Sequence, residues 1–329
     1  MYRKALYNLL RLNWRDDPSL YVDPWQVEDY RMLPVDALFE RLKQRGIALN
    51  KESLIMYVDQ VSDPEDLTDC FADLVADTAD LDEVYLLFFE LWRKLAPDRH
   101  TLSIFCDEID YRIEMYDCGL PEAQVAIEEL FIRLADMLDQ NMSDGASTQE
   151  VFYAVCERCA TDIESFFYDF VSDLIEQGNI ETALGFVDRL VPYVEQKHWL
   201  SFLKLRLATM DESGDIELLT RELFTGFSED WDLDFSFEVL DYIIQTEQPE
   251  YFLALIKHLF LLAEVEQDFR DLSFEFRDFC EERDLCEEVE LLNQIIERRS
   301  DLPIDTALER DDPDLQAIVR LILSFVSDA

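Results

Sequence analysis

Three short motifs in this 329-residue chain carry residue types that do chemistry, and each lacks the rest of its site. Cys156-Glu-Arg-Cys159 has the spacing of half a zinc site or of a redox dithiol, but no second cysteine pair or nearby histidine completes a ligand shell. Glu195-Gln-Lys-His198 matches the Glu-x-x-His that di-iron bundles use twice, together with two further Glu; with His100, His198 and His258 as the whole histidine supply, no second copy exists. Asp211, Ser213, Asp215 and Glu222 stand at calcium-loop positions 1, 3, 5 and 12, yet Ile216 occupies the place where the sharp turn needs glycine. The seven glycines form neither GxxxxGK[ST] nor GxGxxG, so these routes to a phosphate cradle are excluded. No GxSxG, HExxH or Cys–His pairing appears, and carboxylates alone do not make an acid/base pair. The sequence therefore predicts no enzyme, with no catalytic, cofactor-binding or metal residues.

What stands out instead is charge. Seventy-four acids against 28 bases give a formal net charge of −46, on a chain that is nonetheless 49% hydrophobic. Charged disordered chains lack the apolar residues that offset chain entropy; this one has them, so it folds under an anionic shell. Such a shell repels nucleic-acid phosphates and anionic membranes and attracts basic proteins. Acidic, lysine-poor composition also marks proteins of saline cytoplasms, although 23 Phe is lavish for that class. The one basic segment is the head, where Arg3, Lys4, Arg11 and Arg15 occur without an acid before Asp16. It reads as a helix docked on the chain's own acidic body, with a mitochondrial address or a membrane-surface helix as the alternatives. No apolar stretch approaches the ~20 residues of a transmembrane helix. Seven scattered cysteines read as reduced, mostly buried thiols of a cytoplasmic protein.

The elements that would position any site are helices. Only 7 Gly and 10 Pro punctuate the chain, too few for the turns of an all-β or doubly wound fold. Caps mark the boundaries: Asp23-Pro24, Leu33-Pro34 closing at Gly46, Asn50, Asp63-Pro64, and Gly119 after a stretch from Arg99 to Asp117. The small polar run Asn141 to Thr148 separates an N-terminal helical domain, 1–142, from a C-terminal one, 147–329.

The C-terminal half has a period. Turn signals recur at Glu176 to Ala183, Glu212 to Leu219, Glu247 to Ala254 and Glu282 to Val289, spaced 36, 35 and 35 residues apart. A period near 34 with paired helices is what stacked hairpins produce, because one hairpin cannot bury its own face. Gly178-Asn-Ile-Glu-Thr-Ala183 resembles the inter-helix turn of the tetratricopeptide repeat, and the resemblance covers about residues 164 to 300. It implies an all-α fold of helical hairpins stacked as a solenoid-like array. Where the family has a small residue in its first helix, this chain has Val171, Leu207, Tyr242 and Arg277. Where some relatives grip a peptide carboxylate with Lys and Asn, it has Tyr168, Ser172, Leu205, Ser236 and Leu240, so that specificity is not implied.

Two stretches lack basic residues altogether. Between Lys51 and Arg93, Asp59, Asp63, Asp66, Asp69, Asp73, Asp77 and Asp80 recur at steps of three and four, the spacing of one face of a helix, or of two helices joined end to end across Asp63-Pro64. Between Arg221 and Lys257, acids interleave with Trp231, Phe235 and Phe237; Trp231, Phe235 and Val239 equally suit a core stripe. The recurrent Glu176, Glu212, Glu247 and Glu282 fall at the end of each unit's first helix, which in a solenoid lines the concave wall. These four, Asp66, Asp69, Asp73, Asp77 and Trp231 are the candidate partner-binding residues. The expected function is a scaffold, adaptor or chaperone-like module that takes a basic protein or peptide on an acidic helical surface, without direct nucleic-acid binding. The alternative is a nucleic-acid mimic whose carboxylates imitate phosphates.

Overall fold

The structure, a computed structural model, describes all residues except 1, 144–146, 195–196, 211–215, 226–230, 232, 245–247 and 328–329, and the side chains of 142, 143, 197, 326 and 327. Among the described residues it is all-α, with helices packed on helices, and the only extended pairing is one bridge between Val265 and Ala307. No described helix is long and apolar enough to cross a membrane. Internal contacts divide the chain into two compact units, Met1–Asp211 and Glu212–Ala329. The boundary expected from sequence falls largely on residues outside the description, and the helices flanking it pack against each other.

The first unit contains α1 (Arg3–Asp16), α2 (Pro24–Val27), α3 (Val35–Gln44), α4 (Lys51–Val58), α5 (Pro64–Asp69), α6 (Thr78–Leu95), α7 (Leu102–Asp117), α8 (Ala123–Ser143), α9 (Thr148–Cys156), α10 (Ile163–Glu176), α11 (Ile180–Leu190) and α12 (Lys197–Met210). The cap signals at Asn50 and Asp63 act as read, each accepting a backbone N–H in the first turn of the helix that follows, and Asp77 and Thr101, which sequence alone did not single out as caps, do the same. Gly46, Gly119 and Gly178 end helices at φ of +85°, +65° and +78°, the left-handed region that a side chain would strain.

At the centre runs α6. Every residue from Glu83 to Trp92 is buried, as befits a helix apolar on all sides, with α3, α4 and α5 packed around it. Its two buried acids are paired, Glu83 with Arg45 and Glu90 with Arg93. Farther along, Tyr116, Phe131, Phe166, Phe170 and Phe186 form an aromatic cluster with ring centroids 5.4–6.2 Å apart, which ties α7 and α8 to α10 and α11.

The second unit contains α13 (Ile216–Thr225), α14 (Leu233–Ile244), α15 (Pro249–Leu262), α16 (Glu266–Glu282), α17 (Cys286–Arg299) and α18 (Pro313–Ser327). α14 pairs with α15 and α16 with α17, and α18 closes against α15. Phe252 and Phe279 stack at 4.0 Å between α15 and α16. Arg299, buried, donates to Glu266 at 2.6 Å and to Asp312 at 2.8 Å, which fastens the connection after α17 to the start of α16. The turns at 176–183 and 282–289 each join two consecutive helices, as the period predicts. The turns at 212–219 and 247–254 also lie between consecutive helices, with parts of each outside the described residues.

Candidate interaction surface

The basic head is a face, not a tail. Lys4, Asn8, Arg11 and Arg15 lie at steps of four, three and four on α1, and Asp107, Asp110 and Glu114 at steps of three and four on α7. The two faces meet. Lys4 Nζ lies 3.2 Å from Asp107, Asn8 donates to Asp107 at 3.0 Å and to Asp110 at 2.9 Å, and Arg11 and Arg15 donate to Glu114 at 2.7 and 3.0 Å. Arg31 and Arg93 donate to the same Asp107 at 2.8 and 2.9 Å. Burial alone pushes the Asp107 carboxyl up, but the Lys4, Arg93 and Arg31 charges and the Asn8 amide outweigh it and hold the group below the usual carboxylate range. Asp110 goes the other way: burial outweighs the bonds from Asn8 and from the Ala160 and Thr161 N–H groups, and its carboxyl is raised.

This is the densest cluster of perturbed titratable groups in the first unit, and it has no room for a substrate. The cleft that Lys4, Arg31, Arg93 and Asp107 line holds about 30 Å3, room for two or so waters. Its chemistry is structural: it neutralises a basic helix against the acidic body.

The acidic run 59–80 does not form a single helical face: a break falls at Asp63-Pro64, as the two-helix reading allows, and another follows Asp69. Asp59 ends α4, Asp63 caps α5, Asp73 sits in a short 3-10 turn at 72–74, and Asp77 caps α6. Caps and helix faces both recur every three or four residues here, and the backbone breaks because Gln60-Val-Ser62 and Ala76 carry no continuing apolar stripe. Asp66, Asp69, Asp73 and Asp77 are nevertheless all exposed along the same chain segment, above buried Leu67 and Phe71. Among the described residues no Lys, Arg or His side chain lies within ion-pair distance of any of these four. Leu74, next to Asp73 in the chain, is 63% exposed.

The other candidates divide. Glu176 is the last residue of α10, exposed, with Arg206 at 3.8 Å; Glu282 is the last residue of α16, exposed, with Arg283 at 3.9 Å. Glu212 and Glu247 lie outside the described residues. Trp231 is not on a surface. It is 2% exposed and packs on Phe235 and Phe224 at ring distances of 4.9 and 5.9 Å, so with Phe235 and Val239 it forms the core stripe. An indole this large gains more from burial than from a solvated face.

Among the described residues no group of three or more His, Cys, Asp and Glu side chains is placed to hold a metal. Cys159 is buried with its Sγ 3.7 Å from the Cys106 carbonyl, and burial pushes the Cys156 thiol up to about 12. Glu195 of the Glu-x-x-His motif and Asp211, Ser213 and Asp215 of the calcium-like loop lie outside the described residues. Compared with protein-family models, with curated proteins and with solved structures, the chain finds no match.

Proposed function

We propose that the chain is a non-enzymatic interaction module that docks a basic protein segment on exposed carboxylates that have no ion-pair partner among the described residues. One observation carries the reading. Most described Lys and Arg side chains lie within ion-pair reach of acids of the same chain, whereas the exposed Asp66, Asp69, Asp73 and Asp77 have no such partner. An excess of 46 negative charges with the cations internally matched leaves an outward field that steers cationic partners. Exposed Leu74, next to Asp73, supplies apolar contact that a purely electrostatic surface lacks. The paired helices from α10 onward, read as divergent tetratricopeptide-like hairpins, suit a docking scaffold, and seven free thiols suit a reducing, cytoplasmic setting.

Anisotropy titrations of a labelled Lys/Arg-rich peptide carrying two aromatic residues, at low and at physiological salt, test this. Saturable binding that persists at physiological salt, with no binding of the charge-reversed peptide, is the expected result. Equal binding of both peptides contradicts it. Affinity that vanishes with salt and is matched by competition for a DNA-binding protein would transfer the chain to the nucleic-acid mimics.

A further inference from the structure

Cys159 of the Cys-x-x-Cys motif finds its partner outside the motif. Cys156 ends α9 half-buried, and the turn that follows, in which the Cys159 N–H donates to the Cys156 carbonyl at 3.3 Å, carries Cys159 inward. There it is 4% exposed and meets Cys106 of α7, which is fully buried. The Cys159 Sγ lies 3.7 Å from the Cys106 carbonyl, the Cys106 Sγ lies 3.7 Å from the Val155 carbonyl, and the two thiol side chains hydrogen-bond each other. One turn along α7, Asp110 accepts from the N–H groups of Ala160 and Thr161 at 2.9 and 3.1 Å. The junction is thus pinned next to the two sulfurs, which keeps the thiols side by side. The chemistry that two adjoining thiols share is oxidation to a disulfide.

We propose that Cys106 and Cys159 are a redox pair: on oxidation they close a disulfide that locks α7 to the connection between α9 and α10. The step takes two electrons, and its oxidant is a low-molecular-weight disulfide. The Cys159 thiolate attacks one sulfur of that disulfide and expels the other half. The Cys106 thiolate then attacks Cys159 Sγ, the bond between the two cysteines forms, and the second half leaves. The two thiol protons end on the two released thiols. Cys159 leads because it sits in a turn, whereas Cys106 lies within a helix. The hydrogen bond with Cys106 and burial hold the Cys159 thiol above its ordinary range, so thiolate is scarce and closure waits on opening of the turn. Burial equally shields the product, which makes the pair a slow lock rather than a fast sensor. Closure joins positions 53 residues apart, and a cross-link of that span restricts the unfolded chain far more than the folded one. The pair is independent of the aspartates of the docking surface.

The full chain carrying Cys70→Ser/Cys118→Ser/Cys286→Ser, which removes the three exposed thiols, is oxidised overnight with oxidised glutathione at pH 8, then unfolded in an alkylating reagent and mapped by mass spectrometry. The expected product is a peptide pair joined through Cys106 and Cys159 with glutathione on neither. Its melting temperature is expected to stand about 5 °C or more above that of the reduced protein. Adding Cys156→Ser keeps both the link and the shift, and adding Cys106→Ser abolishes both. Melting curves of the reduced variants show that each is folded, and the peptide map decides by itself where Cys106→Ser is unstable. Cys106 and Cys159 both still reduced, a map that joins Cys156 to Cys159 instead, or a link without a rise in melting temperature overturns the proposal.

Discussion

Lys4 Nζ, on the first helix, lies 3.2 Å from Oδ1 of Asp107, whose side chain is 5% exposed and also receives Arg31 and Arg93. One carboxylate thus compensates three cations that burial has taken from water. Removing it leaves Lys4 without an anion and takes one of two carboxylates from Arg31 and from Arg93, which keep Glu108 and Glu90; a buried charge left unmatched costs more than its pair contributes when intact. Asp107→Asn is expected to destabilise the first unit by about 3–5 kcal/mol in a urea titration followed by tryptophan fluorescence. A loss below about 1 kcal/mol would show that the network is dispensable and that α1 is held by other contacts.

Stability should peak on the acid side of neutrality. Burial raises the carboxyls of Glu65 and Asp110, and burial together with Asp241, Asp278 and Asp271 raises Glu275. Such groups bind protons more tightly folded than unfolded, so each adds stability as pH falls through its folded value. Asp107 and Asp312 are the reverse: although burial opposes it, Lys4, Arg93 and Arg31 hold the first below the ordinary range, and bonds from Arg299 and the Leu315 and Asp314 N–H groups the second. Their stabilisation is present above the unfolded value near 4 and is lost as pH falls through the folded values. The melting temperature is expected to rise from pH 7 to about 5 and to fall steeply below about 4. A monotonic fall from pH 7 downward would contradict these assignments.

The thiols should divide by burial. Cys70, Cys118 and Cys286 are exposed, whereas Cys106, Cys159 and Cys280 are buried, and burial pushes the Cys280 thiol up to about 12. Since the thiolate is the reactive form, a disulfide reagent at pH 8 is expected to titrate three thiols rapidly in the native protein and all seven after denaturation. Rapid labelling of Cys106 or Cys159, identified by mass spectrometry, would mean that the junction of α7 with the turn after α9 opens readily.

Helix boundaries were legible where a cap or a glycine acts locally: Asn50, Asp63, Gly46, Gly119 and Gly178 each do what their type and position imply. The head's docking on the acidic body was legible as a tendency, since only charge sign is needed for it. Its partners were not, because spacing tells which residues share a face but not which other face it meets; Lys4 and Asp107 are joined by the tertiary fold alone. The aspartate run was misleading for a different reason. A side chain that caps a helix and one that lies on its face recur at the same intervals, so Asp77 looked like a member of a stripe that it in fact interrupts.

The central claim is that unmatched carboxylates at one edge of the first unit take a basic segment. The most direct measurement is an isothermal titration of a Lys/Arg-rich peptide against Asp66→Asn/Asp69→Asn/Asp73→Asn, which spares the capping Asp63 and Asp77. Its control is Asp301→Asn/Asp305→Asn/Asp311→Asn, which removes the same charge from exposed positions of the second unit. The account predicts about a tenfold loss of affinity for the first variant and less than about twofold for the second. Equal losses in the two would mean that the peptide answers to net charge alone and that no docking edge exists.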